Sequence, residues 1–240
     1  MNIALIGYGK MGKIIEEIAI SRGHKITGKS SSKNPISTLD FSNTDVAIEF
    51  TAPHFAVPHI EHCVDHNVPV VVGTTAWNEK LDHVKDYVSQ KDGALLYASN
   101  FSIGVNIFFD INKRLSKLMA GYPEYAPSVE EIHHLEKLDA PSGTAVSLAN
   151  DMMLENDNLS SWIHQENVKP ETSNTQIPVT SFREDGVPGT HQISYESEID
   201  TIEIKHTAKN RQGFALGAVI AAEWLANKKG IFTMQDVINL

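Results

Sequence analysis

Short apolar runs separated by polar, helix-compatible stretches set the pattern of the first hundred residues. Positions 3–6 (Ile-Ala-Leu-Ile) read as a short buried strand, followed by a glycine turn and a helix-like stretch over 10–21. Further β-like runs lie at 24–28, 45–50, 68–72 and 94–98, with helix-compatible segments at 57–66 and 78–90 between them. Strands alternating with helices predict a parallel sheet with crossover helices. The runs Val-Ala-Ile-Glu-Phe and Val-Pro-Val-Val-Val-Gly are nearly continuous in apolar character, as expected where helices cover both faces of a sheet.

Beyond about position 103 the pattern changes. A helix over 107–119 leads into the tract 122–127 and then into strand-like and polar segments, which predicts a second, α+β domain. Positions 160–178 are polar and aperiodic and read as a loop. Positions 192–195 and 201–206 read as an antiparallel strand pair, 214–226 as a buried helix, and 234–240 as a closing segment. The expected fold class is α/β: a Rossmann-like parallel-sheet dinucleotide-binding domain over residues 1–103, completed by 212–240, and an α+β domain over 104–211.

Composition narrows the partners. With 41% hydrophobic and 21% charged residues the chain should fold throughout. A net charge of −10 argues against nucleic acid, so an anionic ligand must be held by local groups. The single cysteine, Cys63, excludes an internal disulfide and fits a reducing compartment. No run of about twenty apolar residues marks a membrane span, and the expected location is the cytoplasm.

Gly7-Tyr8-Gly9-Lys10-Met11-Gly12 is a G-x-G-x-x-G turn placed between a strand and a helix. There the first glycine permits the turn, the second lets backbone approach a pyrophosphate, and the third lets helix pack on strand. The helix N-terminus adds unpaired N–H groups for the phosphates. An NAD site usually carries an acid about 20 residues on. Here Lys29-Ser30-Ser31-Ser32-Lys33 has none, and its hydroxyls and lysines suit a 2′-phosphate, which favours NADPH with NADH as the alternative.

A second segment carries candidate chemistry: His133-His134-Leu135-Glu136-Lys137-Leu138-Asp139-Ala140-Pro141-Ser142-Gly143-Thr144. If the chain stays extended to 137, His133 and Lys137 project from one face and His134 from the other. Ser142, Gly143 and Thr144 precede a helix-like run and would offer hydroxyls and N–H groups to a carboxylate. Each feature has an ordinary alternative, a helix cap or a packed histidine. Together they describe a site that holds an acid and gives it a proton.

His133-His134-x-x-Lys137-x-Asp139-Ala-Pro-Ser-Gly-Thr-Ala145 resembles the signature of dihydrodipicolinate reductases. Further matches follow in order: the glycine turn, Glu49-Phe50-Thr51, Val72-Gly73-Thr74-Thr75, positions 98–106, Arg183, Gly189-Thr190-His191, and His206 through Ala218. The chain departs from the family pattern at Glu49, where aspartate is usual, and at Thr190, where glutamate is. The resemblance implies reduction of 4-hydroxy-tetrahydrodipicolinate, a cyclic dicarboxylate on the route to diaminopimelate and lysine. It implies His133 as proton donor and Lys137 as a second donor that also holds substrate, with His134, Ser142, Gly143 and Thr144 binding the ring carboxylates. It places the cofactor against Gly7 to Gly12, Phe50, Thr51, Gly73, Thr74, Thr75, Ala98, Ser99, Asn100 and Phe101; Ser31, Ser32 and Lys33 of the basic turn, with Arg211, complete the expected cofactor set. It also implies a homotetramer assembled through the sheet of the second domain.

Two other readings share the glycine turn. A reductase of a different imine or keto acid has no reason to carry the His-His-x-x-Lys segment, and a non-catalytic dinucleotide sensor leaves His133 and Lys137 idle. No metal is expected, because adjacent His133 and His134 chelate poorly on a strand and no other His or Cys stands at zinc-ligand spacing.

Overall fold

Strands β1 (Asn2–Ile6), β2 (Lys25–Ser30), β3 (Val46–Glu49), β4 (Val70–Val72), β5 (Ala94–Tyr97) and β11 (Gly230–Phe232) pair in the order β11-β5-β4-β3-β1-β2, every pair parallel. The computed structural model describes residues 1–168 and 173–238 and divides into two units, Met1–Asn106 with Gln212–Leu240, and Ile107–Arg211. The six-stranded sheet belongs to the first.

Its inner strands β1, β3, β4 and β5 are buried at nearly every position because both faces are covered, whereas the edge strand β2 is largely polar. Ile3, Leu5, Val46, Ile48, Val71 and Leu96 point to helices α1 (Lys10–Ser21) and α6 (Gln212–Leu225). Ala4, Ile6, Ala47, Val70, Val72 and Leu95 point to α2 (Pro53–Asp65) and α3 (Leu81–Gln90). Each fully buried Val, Leu or Ile contributes about 1.5–3 kcal/mol. Helix α6 is fastened to the chain's start by Glu223, whose carboxylate accepts two bonds from Arg22 at 2.7 Å and one contact from His24 at 2.7 Å. Cys63 lies wholly buried among the second set of apolar residues. Burial, reinforced by the nearby Glu49 charge, pushes its thiol far above the usual range.

The second unit is a mixed sheet of β6 (Ala126–His133), β7 (Ser161–Glu166), β8 (Gln176–Arg183), β9 (Thr190–Glu196) and β10 (Thr201–Thr207), ordered β10-β9-β6-β8-β7. Val129, Ile177, Val179, Ile193 and Tyr195 pack one face against Phe108 and Met119 of α4 (Ile103–Met119) and Leu148, Ala149 and Met152 of α5 (Gly143–Glu155). The two helices are also bonded side chain to backbone, Asn112 to the Leu148 carbonyl at 3.0 Å and Ser116 to the Met152 carbonyl at 2.9 Å. Among the described residues no helix is long and apolar enough to cross a membrane.

Three expectations change. The loop expected over 160–178 contains β7 and the start of β8, while residues 169–172 lie outside the described ones. Strand β7 is an edge strand with a weak alternation, Ile163 being 45% exposed, so backbone pairing with β8 rather than an apolar face defines it. Strand β6 ends at His133, and the Lys137 N–H closes a turn onto the His134 carbonyl at 3.1 Å. His133 and Lys137 therefore do not share a strand face. Strand β11, too short to stand out in the sequence, is held by pairing with β5. The closing segment forms α7 (Met234–Ile238), and positions 239–240 lie outside the described residues.

Close packing in the first unit depends on Gly217 of α6, where a Cβ would stand 1.7 Å from the Phe101 carbonyl oxygen. Gly217→Ala is expected to destabilise the protein by roughly 1–3 kcal/mol or more, through forced displacement of the Phe101 backbone. Thermal unfolding would check it, with unchanged Tm as the contrary result.

Candidate active site

Strand β1 lies between β2 and β3, so the chain reverses its direction of travel across the sheet there. The crevice at such strands' carboxyl ends is the expected ligand site of an open α/β sheet. A cavity of about 770 Å³ opens there, lined by Gly7, Tyr8, Gly9, Ser30 to Ser32, Phe50, Thr51, His59 and His62 among others. Gly7 takes φ +99°, and a Cβ on it would meet the Phe50 carbonyl oxygen at 2.1 Å. A Cβ on Gly9 would meet nothing within 4 Å, so the turn presents open space at the start of α1. Gly9 caps α1 without a side-chain bond. The first turn of α1, Lys10, Met11 and Gly12, thus opens on this space with no side-chain cap over its N–H groups, and a helix N-terminus of that kind is where anions bind in general.

The Ser30 hydroxyl accepts the Gly7 N–H at 3.1 Å and the Ser30 carbonyl accepts the Tyr8 N–H at 2.7 Å, so the end of β2 holds the glycine turn. Ser31 and Ser32 line the cavity and are exposed, as is Lys33 beside them. Lys29 is committed elsewhere: its ammonium lies 2.5 Å from Glu16 and 4.5 Å from the centre of the Tyr8 ring. At the next strand ends, Thr51 N–H donates to the Thr74 hydroxyl at 2.7 Å, and the Phe50 ring covers the position a Gly73 Cβ would need. Thr74 thus faces inward, whereas Thr75 and Ser99 are exposed. After β5 and Ala98, the Asn100 side chain accepts the Ser102 N–H at 2.9 Å, and Phe101 is buried against Phe50 with ring centres 5.8 Å apart. Arg211 is exposed just before α6.

In the second unit the β6–α5 connection gathers the other candidates. Ser142 caps α5, its hydroxyl accepting the Ala145 N–H at 3.2 Å. Its own N–H donates to both Glu131 oxygens at 3.0 Å, and it is 3% exposed. Ser142 is therefore turned inward, and Gly143 and Thr144 are left at the helix's outer end. Lys137 lies 2.7 and 2.8 Å from the two oxygens of Asp139, and His134 lies 2.9 Å from Glu136. Arg183 braces this turn by donating to the Asp139 carbonyl at 2.8 Å and the Lys137 carbonyl at 3.4 Å.

His133 is 7% exposed, and its Nδ1 stands 3.4 Å from Glu131 without a hydrogen bond. Burial lowers its pKa, Glu131 opposes that, and the charges of Lys137 and Arg183 add to it. For Glu131 burial acts upward, but hydrogen bonds from Ser142 and Ser181 and the His133 charge outweigh it and leave the carboxyl below its ordinary value. His191, its ring 5.1 Å from that of His133, is pushed down to about 3 by burial and by His133.

Glu131, His133 and His191 each offer an atom within 4.8 Å of the others, close enough in principle for a cation. Both Glu131 oxygens are already engaged, and Arg183 stands 3.6 Å from one of them. The Glu131 carboxylate is thus satisfied by the Ser142 N–H and the Ser181 hydroxyl, and His191 by the Ser142 hydroxyl, while His133 Nδ1 makes no hydrogen bond among the described residues. Glu131, Ser181 and His191 have no expected role in the sequence. Alternation places Glu131 on the His133 face, and that signal was legible. The strand register that brings His191 and Ser181 opposite Glu131 was not.

The model of the N-terminal part of dihydrodipicolinate reductase matches residues 1–101, and that of the C-terminal part matches residues 104–238. A 4-hydroxy-tetrahydrodipicolinate reductase of Christiangramia forsetii is 49% identical over 239 residues, covering 100% of this chain and 98% of that one. The enzyme of the same name from Thermosipho africanus is 33% identical over 240 residues, covering 99% and 98%. The structure of a dipicolinate-bound dihydrodipicolinate reductase from Paenisporosarcina sp. TG-14 has a TM-score of 0.76 at 24% identity, with 99% of both chains covered, and shares the fold.

The depressed pKa of His191 carries a stability consequence. The unfolded chain, with an ordinary histidine value near 6.5, binds a proton that folded His191 refuses until about pH 3. Its contribution to stability is therefore complete above that unfolded value and is lost as pH falls toward 3. Urea unfolding between these limits should show stability rising with pH, with a shallower rise in His191→Gln. Parallel curves for the two proteins would contradict the assignment.

Proposed function

Because the chain belongs to the dihydrodipicolinate reductase family, we propose that it reduces 4-hydroxy-tetrahydrodipicolinate to tetrahydrodipicolinate on the route to diaminopimelate and lysine. It would do so in the cytoplasm, using a pyridine nucleotide. The ring takes up a hydride and a proton and loses water. When bound, the reduced nicotinamide supplies the hydride; the glycine turn and the open first turn of α1 hold its pyrophosphate. The observation that carries this reading is the β6–α5 connection, where a largely buried histidine, a lysine turn and a helix N-terminus follow within twelve positions.

Hydride addition leaves carbanionic or enamine character at the neighbouring ring carbon, and a proton must quench it. His133 is the proposed donor, since an imidazole has its ordinary titration nearest neutral pH, and Glu131 opposes the burial that lowers it here. Lys137, on the braced turn, would exchange its exposed partner Asp139 for a ring carboxylate and support the transfer electrostatically. The N–H groups of Gly143 and Thr144, the Thr144 hydroxyl and His134 take the remaining carboxylate contacts, and inward-turned Ser142 shapes that terminus. NADPH is the preferred cofactor: no acid stands at the end of β2, and Ser31, Ser32 and Lys33 are exposed there. Since Lys29 is paired with Glu16, Lys33 is the cation assigned to the 2′-phosphate. A homotetramer fits the second unit's sheet, whose face opposite α4 and α5 carries Ser128, Glu130, Gln192 and Ser194 only half-buried.

His133→Gln should lower kcat by about 10²-fold or more while leaving cofactor affinity almost intact. Lys137→Ala should lower kcat and raise KM for the dicarboxylate, because it removes binding present in ground and transition states alike. Normal turnover in His133→Gln, or loss of NADPH binding in either variant, would make the segment structural. Separately, NADPH should bind more tightly than NADH at matched salt, and Lys33→Ala should weaken NADPH alone. Calorimetry would detect the contrary result, an equal loss for both nucleotides.

A further inference from the structure

We propose that Glu131 is a positioning residue that favours the proton-bearing form of His133 against its buried surroundings and, through the same carboxylate, fixes the helix terminus beside it. The inference rests on the reading of His133 as proton donor. Glu131 is fully buried, two residues before His133 on β6. One oxygen accepts the Ser181 hydroxyl at 2.7 Å and both accept the Ser142 N–H at 3.0 Å, while the other oxygen lies 3.4 Å from His133 Nδ1.

That geometry assigns the histidine's two nitrogens. Nδ1 faces the carboxylate at 3.4 Å, is buried, and has no hydrogen-bond partner among the described residues, so it is the nitrogen whose proton the carboxylate stabilises. Nε2 lies on the other side of the ring, 3.1 Å from where a Cβ on Gly189 would stand, and a glycine leaves the approach to it free of a side chain. The proton to be given away is therefore the one on Nε2. A carboxylate behind an imidazole raises its hold on that second proton without accepting it.

The other charged or titratable groups around His133 do not duplicate this. Lys137 on the turn and Arg183 on β8 disfavour the imidazolium. Asp139 favours it but is exposed and committed to Lys137 at 2.7 and 2.8 Å. His191 on β9, with His206 of β10 opposite it, is held neutral by burial and brings no charge, its Nε2 standing 3.1 Å from the Ser142 hydroxyl. Glu131 is the buried anion in the group. It is also the acceptor that holds the Ser142 N–H, so the charge that favours the proton-bearing form of His133 is anchored to the turn that presents the Gly143 and Thr144 N–H groups.

The test is an NMR titration of the His133 imidazole in the full chain, assigned by its absence in His133→Gln, run beside the pH profile of kcat. Glu131→Gln keeps the size of the side chain and removes its charge. The His133 midpoint and the alkaline fall of kcat should both move to lower pH, with turnover at neutral pH down on the order of tenfold. A loss of kcat with an unmoved midpoint would reduce Glu131 to a structural cap and overturn the proposal. Should that variant fail to fold, the wild-type chain decides: the Glu131 carboxyl ¹³C resonance should shift at the His133 midpoint, and independent titrations would overturn the proposal. The midpoint is read without turnover, so it is separable from the donor assignment, which the turnover of His133→Gln tests by itself.

Discussion

A carboxylate with no exposure to water has to be compensated by whatever surrounds it, and Glu131 draws that compensation from the turn before α5 and from β8. Leaving such a charge without donors would cost several kcal/mol, so Ser142 N–H and the Ser181 hydroxyl are held in place by the carboxylate as much as they hold it. The strand register then follows. Glu131 faces Ser181 on one side and His191 on the other, and displacing either neighbour by one residue would turn its polar side chain to the opposite face. The second unit's local geometry is in this sense organised around one buried negative charge.

In the first unit the corresponding constraint is steric. The Gly7 backbone crosses the Phe50 carbonyl, the Phe50 ring lies over Gly73, and Phe101 packs on Phe50 while its carbonyl presses on Gly217. Three glycines and two phenylalanines thereby interlock the ends of β1, β3 and β4 with α6. Residues from widely separated parts of the chain thus pack into one layer, and Gly7 and Phe50 of that layer also line the cavity at the strand ends. The polar groups lining that cavity come from the serine hydroxyls of the β2 end, from Thr51, and from the imidazoles of His59 and His62.

What the sequence disclosed and what it concealed divide along physical lines. The glycine turn, the helix over 10–21 and the Ser142 cap depend on residues a few positions apart, and local patterns carry them. The partner of Lys29 is thirteen residues away on α1, and only the packing of that helix on β2 brings Glu16 within reach. A basic turn that looked available for phosphate is partly neutralised for that reason. The bend after His133 was hidden because the turn is braced by Arg183, forty-six residues from Lys137. The Glu131 cluster spans fifty residues to Ser181 and emerges only from strand register.

The lone thiol of Cys63 has a different significance. Enclosed between α2 and the sheet, with burial and the Glu49 charge opposing its ionisation, it presents neither the thiolate nor the access that alkylating agents and oxidants require. Native enzyme is therefore silent toward such reagents, and any labelling records the opening of the nucleotide-binding core. The protein carries its own clock for unfolding: the rate at which Cys63 becomes reactive, with and without dinucleotide, measures how firmly the ligand holds that core shut.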